Sequence, residues 1–235
     1  MMTDERGDRP TPPLLHFPAA PPRPSAGPLR VVGPPPPAPT APAVASPPVV
    51  ARPAPACHQL LVALVDSDPL VWRRLAVPGT ITLAKLHRVL QAALGWTDSH
   101  LHQFVVGDTS YGAPELLVDD PPTASTRRTT LGQVAPVVGA TLRYAYDFGD
   151  GWRHLLVVER LLWGDAGAQG AVCLAGGGAC PPEDCGGSGG YAELLATLRR
   201  GRGREYREVL AWLGGPFDPV VFDLAATNRA LTRRR

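Results

Sequence analysis

Lysine is almost missing from this chain: Lys85 is the only one among 23 basic residues, and arginine supplies the rest. Together with abundant alanine, proline and glycine, that bias reads as genome base composition. A formal charge of +2 excludes a chain that holds nucleic acid by charge along its whole length. Aromatic residues make up only 6%, and Trp72, Trp96, Trp152 and Trp212 sit in apolar or turn motifs. A stacking platform for single strands would need them interleaved with basic side chains. No apolar run approaches a membrane span, and Met1 to Arg6 lead into no secretion-signal core, so the expected location is cytoplasmic with no membrane partner. Cysteine is limited to four residues. In a reducing compartment these read as free or metal-binding thiols rather than disulfides.

Proline and glycine, by contrast, are abundant, at 28 and 25 residues, too many for one packed domain. Most of the prolines precede Cys57, in runs such as Gly33 to Pro37. Residues 1–56 therefore read as a disordered, partly polyproline-II tail that cannot bury enough apolar surface to offset the entropy of ordering. A ligand for proline-recognising domains is the sharper alternative for this segment. Residues 57–232 read as the single folded domain.

Within that domain, His58–Val65 and Val71–Val77 form two alternating runs joined by the turn Asp66-Ser67-Asp68-Pro69, which fits a hairpin. Leu83, Leu86, Leu90 and Leu94 then recur at helical spacing, with Thr82 placed as N-cap, Gly95 as C-cap, and Lys85, Arg88 and Gln91 on the outer face. In the next strand His100, His102, Phe104 and Val106 share one face. Less regular chain follows, with a Pro-Pro turn and a short helical possibility at Leu131 to Ala135. The clearest hairpin joins Leu142–Tyr146 to Trp152–Leu161 through Asp147-Phe148-Gly149-Asp150-Gly151. Cys173 to Tyr191, dense in Gly, Pro, thiols and carboxylates, reads as loop, and helices are expected over 191–199, 205–213 and 224–231. Strands, helix, strands and then helices make an α+β domain: a mainly antiparallel sheet, one amphipathic helix after the first hairpin and a helical C-terminal segment.

Five motifs in order are similar to one family. They are Val71-Trp72-Arg73-Arg74; Leu94-Gly95-Trp96 with Ser99 to Phe104; Tyr146 to Asp150 with Trp152 and His154; Ala179-Cys180-Pro181-Pro182-Glu183-Asp184-Cys185-Gly186-Gly187; and Trp212-Leu213-Gly214 through Phe217-Asp218-Pro219. From about Cys57 to Leu231 the chain resembles the Ri-plasmid open-reading-frame-three-like family, whose members are also labelled passenger TnpR-like proteins of insertion sequences. The resemblance implies an α+β fold and an association with plasmids and mobile elements, and it implies no chemistry. The chain has no serine-resolvase nucleophile near the start of a catalytic domain and no Arg/His/Arg/Tyr recombinase set.

Candidate chemistry is confined to a few groups. His100, His102 and His154 could complete a three-nitrogen metal site with a position open to water, or serve as packed and hydrogen-bonded strand residues. Cys180 and Cys185, with Cys173 separated from Cys180 by six residues, have near-knuckle spacing for zinc but lack a fourth ligand, which His154 or His102 would have to supply. Asp147, Asp150 and Glu183, with Asp184, could act as acid/base or ligand carboxylates, or as turn and loop residues. Arg199, Arg200, Arg202 and Arg204 form a local basic patch that nucleic acid would use. The expected function is a non-enzymatic cytoplasmic interaction or accessory module of a mobile-element-associated family. The alternatives are a metal-dependent, hydrolase-like enzyme built on the histidines and a nucleic-acid-binding accessory protein.

Overall fold

The computed structural model of the protein describes residues 56–112, 123–163 and 170–233. The expected tail, apart from Ala56, and the Pro-Pro turn at 121–122 lie outside the described residues. The described chain runs β1 (Cys57–Leu64), β2 (Trp72–Pro78), α1 (Leu83–Leu94), β3 (His102–Val106), β4 (Thr109–Gly112), β5 (Ala124–Ser125), α2 (Leu131–Val134), β6 (Thr141–Tyr146), β7 (Trp152–Leu162), β8 (Val172–Gly177), α3 (Gly187–Arg200), α4 (Arg204–Leu213) and α5 (Leu224–Arg233).

The strands form one eight-stranded sheet in the order β5-β4-β3-β6-β7-β1-β2-β8. Every pairing is antiparallel except β4 with β5. Register follows from the two-residue period. Leu60, Val62 and Leu64 of β1 are buried while Gln59, Leu61 and Ala63 face the other way, so a slip of one residue would expose the whole apolar set. Across the sheet, Phe104 pairs Tyr144, Tyr144 pairs His154 and His154 pairs Leu64, one continuous row on the inner face. The next row is His102, Tyr146 and Trp152.

Helix α1 begins where the Thr82 side chain accepts the Lys85 N–H and ends at Gly95, whose left-handed backbone lets its N–H reach the Gln91 carbonyl. Leu83, Leu86 and Leu90 are fully buried in the core shared with the sheet, each contributing about 1.5–3 kcal/mol of transfer free energy. Helix α5 packs against α1 and β8. Among the described residues no helix is long and apolar enough to cross a membrane.

The sheet, the amphipathic helix, the β6–β7 hairpin and the C-terminal helices match the α+β expectation. Two local readings are corrected. Cys173 lies in edge strand β8 rather than a loop, because β2 pairs with it and a bare backbone is needed there: a Cβ on Gly176 would meet the Phe222 ring at 2.6 Å. The loop also ends earlier than Tyr191. Helix α3 opens at Gly187, whose φ of +66° and close approach to the Asp150 carbonyl, 2.4 Å from an added Cβ, leave glycine as the fitting residue.

Candidate functional site

Gln91, expected on the outer face of α1, is fully buried, and its neighbour one turn back explains why. His87 and Gln91 lie four residues apart on the face turned to the sheet, and both reach Tyr144. The Gln91 amide donates to the Tyr144 hydroxyl at 3.0 Å, and His87 Nδ1 lies 2.8 Å from the same oxygen. With Gln91 donating, the Tyr144 proton is directed to Nδ1, which places the His87 proton on Nε2, 2.5 Å from Asp98 Oδ1. The Asp98 N–H returns to Gln91 Oε1 at 2.9 Å, closing the ring of bonds. His102 stacks on His87 with ring centroids 3.5 Å apart. Burial lowers the His102 pKa to about 4.

His154, on the neighbouring strand, packs edge-on to Trp96 and bonds the Tyr144 carbonyl through Nδ1 at 3.2 Å. Burial lowers its pKa to about 4. His102 and His154 are thus held neutral among aromatic rings. The three-histidine grouping is not formed: the side chains whose ligand atoms approach one another within 4.8 Å, among the described residues, are His100, Asp147 and Asp184. The physical reason is the pleat. His102, Tyr144 and His154 point into the layer that α1 and Trp96 fill, whereas His100 precedes β3 and reaches over its end.

That second group is built by the hairpin tip and the cysteine loop. Asp147 adopts a left-handed conformation at φ 55° and caps its own turn, with Oδ1 accepting the N–H groups of Gly149 and Asp150 at 3.0 and 3.3 Å. Its Oδ2 faces His100 Nε2 at 3.6 Å, and Asp184 Oδ1 faces the same nitrogen at 3.2 Å. Asp150 Oδ2 accepts the Gly186 N–H at 3.2 Å, tying tip to loop. Glu183 is held more firmly: its Oε1 accepts the Tyr146 hydroxyl at 2.5 Å and its Oε2 accepts the Thr97 N–H and hydroxyl. Burial and the Glu183 carboxylate keep the Tyr146 phenol protonated. The Trp96 indole N–H donates to the Pro181 carbonyl at 3.0 Å, so the Pro-Pro pair presents its backbone to the α1 exit. Of the four carboxylates singled out in the sequence, Asp147 and Asp184 face the histidine, Asp150 holds the loop and Glu183 anchors it.

The cysteines do not gather into one ligand set. The Cys173 N–H bonds Asn228 Oδ1 of α5 at 2.9 Å, and its thiol donates to the Ala175 carbonyl. Burial raises the Cys180 thiol far above its usual range, and burial with the nearby Asp150 charge pushes Cys185 up to about 11. Near them lies Arg73, a residue with no functional reading in the sequence. Only 3% exposed, it donates to the carbonyls of Ala93, Trp72 and Gly177 and lies 4.3 Å over the Phe222 ring. The basic patch is partly neutralised. Arg200 pairs with Glu205 and Arg204 with Glu208, both at 2.7 Å, and Arg199 bonds the Leu195 carbonyl of its own helix, while Arg202 is exposed on the connecting turn.

The model of the plasmid pRiA4b ORF-3-like protein family matches residues 56–226. The chain belongs to that family. The chain is 38% identical over 174 residues to the uncharacterized protein y4hQ of Sinorhizobium fredii (strain NBRC 101917 / NGR234), covering 74% of this chain and 89% of that protein. It also resembles the crystal structure of protein of unknown function MM3350 from Methanosarcina mazei Go1, with a TM-score of 0.65 and 32% identity over 72% of this chain and 95% of that one. The family matched is the one its five motifs resemble. The match takes in His87, His100, Asp147 and the whole cysteine loop, so both clusters belong to the family domain.

Proposed function

We propose that the segment 57–232 is a cytoplasmic, non-enzymatic interaction module that holds a basic, apolar segment of a partner protein in the groove between α3 and α4. The observation that carries this reading is a helix without a buried residue. Helix α4 has no fully buried side chain, with Val209 and Leu213 only partly covered against the core, and Trp212 near its end is 52% exposed beside a groove of about 730 Å³. Leu194 and Val209 line that groove with Trp212, while Glu193, Glu205, Glu208 and Asp184 surround them. The one arginine in the lining, Arg200, is already paired with Glu205. An apolar floor with an acidic rim fits an amphipathic segment carrying arginine or lysine, and a large aromatic anchor is what such interfaces use.

The titratable groups of the fold agree with a binding role. His102 and His154 are held near 4 and the thiols of Cys180 and Cys185 are held high. A general base or nucleophile at neutral pH works best with a pKa close to 7. The family match over 56–226 supports the proposed module boundary.

The test is site-specific photo-crosslinking in cells from position 212, with the linked peptide mapped by mass spectrometry and position 157 on the opposite sheet face as control. A single linked segment with apolar spacing and basic residues, lost when Glu205→Lys and Glu208→Lys are combined, is the expected result. Crosslinking no stronger than from position 157, or unchanged by the charge reversal, would contradict the reading.

A further inference from the structure

We propose that His100, Asp147 and Asp184 form a binding site for one divalent cation of the zinc class, at the junction of the β6–β7 hairpin tip and the cysteine loop. The spacing of the three groups is the first argument. His100 Nε2 lies 3.2 Å from Asp184 Oδ1 and 3.6 Å from Asp147 Oδ2. Ligands bound at roughly 2.0–2.2 Å in tetrahedral array are separated from one another by about 3.3–3.6 Å, so both histidine–carboxylate separations are close to the edges of such an array, and the Asp147 and Asp184 ligand atoms lie within 4.8 Å of each other. A direct charge-assisted hydrogen bond would be shorter, at about 2.7–2.9 Å.

The second argument is the unspent bonding capacity of these atoms. His100 Nε2 is shielded from solvent and makes no hydrogen bond within the described residues. Asp147 is a carboxylate with only 8% of its surface exposed. Both of its hydrogen bonds from the described residues end on Oδ1, which leaves Oδ2 turned toward His100. A carboxylate oxygen turned toward an imidazole nitrogen at this separation is placed to share a cation with it. The ion pairs of the described residues place no arginine or lysine on Asp147 or Asp184; Arg153 near the hairpin tip is committed to Asp66.

Rigidity is the third. Asp147 is oriented by its own turn, and Asp184 sits between two anchored neighbours: Glu183, fixed by Tyr146 and Thr97, and the Gly186 N–H, fixed by Asp150. The supporting bonds therefore hold the ligands in place before any ion arrives, as the outer shell of a metal site does. One imidazole with two carboxylates favours a borderline ion such as Zn²⁺ over Mg²⁺ or Ca²⁺, which prefer all-oxygen shells. Three protein ligands leave a fourth position open on the solvent side, where Asp184 is exposed.

Metal binding here and docking in the α3–α4 groove are separable: His100→Ala removes a ligand that lies outside the groove lining, and Glu205→Lys with Glu208→Lys disables the groove without touching the cation site. The test is a zinc titration of the full chain after chelator treatment, followed by competition against a zinc indicator and by Co²⁺ absorption spectra. One equivalent of zinc is expected. Outer-shell changes alone weaken metal sites by about 10–100-fold, so loss of a direct ligand in Asp184→Asn or His100→Ala should weaken binding by at least about 100-fold. Because Asp184 is exposed, its variant should melt as the parent does. The Co²⁺ form should show weak ligand-field bands without thiolate charge transfer. Three results would overturn the proposal: zinc affinity unchanged in Asp184→Asn and His100→Ala; thiolate charge transfer that disappears in Cys185→Ser; or no zinc retained, with His100→Ala lowering only the melting temperature, as an ordinary imidazolium–carboxylate pair would.

Discussion

His100 and His102 are two residues apart and end in different chemistry. His102 is stacked face to face on His87, within a layer where His87, Tyr144, Gln91 and Asp98 satisfy one another in a closed ring of hydrogen bonds. Nε2 of both His100 and His102 lacks a hydrogen-bond partner among the described residues, but that of His100 faces two carboxylates, at 3.2 and 3.6 Å, whereas the ion pairs of the described residues place no carboxylate on His102. A closed polar network specifies and rigidifies a core, while acceptors set apart around one ring nitrogen mark where a cation is accommodated. Motif richness alone does not separate the two, since both draw on the Ser99 to Phe104 motif.

Acid should break the inner layer first and hardest. For His102 and His154 the folded pKa is depressed from about 6.5 to about 4. The unfolded chain therefore takes up the protons first as the pH falls. The stability linked to each neutral ring is complete above about 6.5, is lost progressively down to about 4, and amounts to on the order of 3 kcal/mol per histidine. Urea unfolding at several pH values between 7.5 and 4 checks this, and His102→Phe should remove a share of the slope. A flat stability across that range would mean the rings are not held neutral by burial.

Gln91→Ala tests the same layer at neutral pH. It leaves the Tyr144 hydroxyl without its donor and the Asp98 N–H without its acceptor, a loss of about 2 kcal/mol measurable by denaturant titration. Tyr146→Phe addresses the joint between the regions, removing the donor to Glu183 and the acceptor of the Ser99 N–H. It should cost about 1–2 kcal/mol and increase amide exchange across residues 183–186. Asp184→Asn, 71% exposed at its side chain, should leave stability within about 0.5 kcal/mol of the parent.

The sheet, α1 and its two caps, and the β6–β7 hairpin were legible because their signals are local: period-two burial, leucines at helical spacing, Thr82 and Gly95 at the ends. Gln91 was misread as an outer residue because a polar side chain at a helical position looks solvent-facing until Tyr144, fifty-three residues away, supplies its partner. His87 gave no signal by type, although His87 and Gln91 four residues apart on a leucine-rich face hinted at a buried polar pair. The glycines of β8 and of the first turn of α3 read as loop because their need for bare backbone comes from Phe222 and from the Asp150 carbonyl, both remote in sequence. The three-histidine grouping failed for a related reason. Shared face is readable from spacing, but which ring the core absorbs depends on what Trp96 and α1 bring against it. Asp184 was legible only as part of a loop whose role depended on its distance to a histidine strand.

The most direct measurement compares zinc affinity and melting temperature, side by side, in Asp184→Asn and Gln91→Ala. The expected pattern is crossed: Asp184→Asn keeps its melting temperature and loses zinc affinity by at least about 100-fold, while Gln91→Ala melts lower and binds zinc as the parent does. Zinc bound equally by the parent and Asp184→Asn, or lost only in Gln91→Ala, would contradict the assignment of site to the hairpin tip and of scaffold to the inner layer.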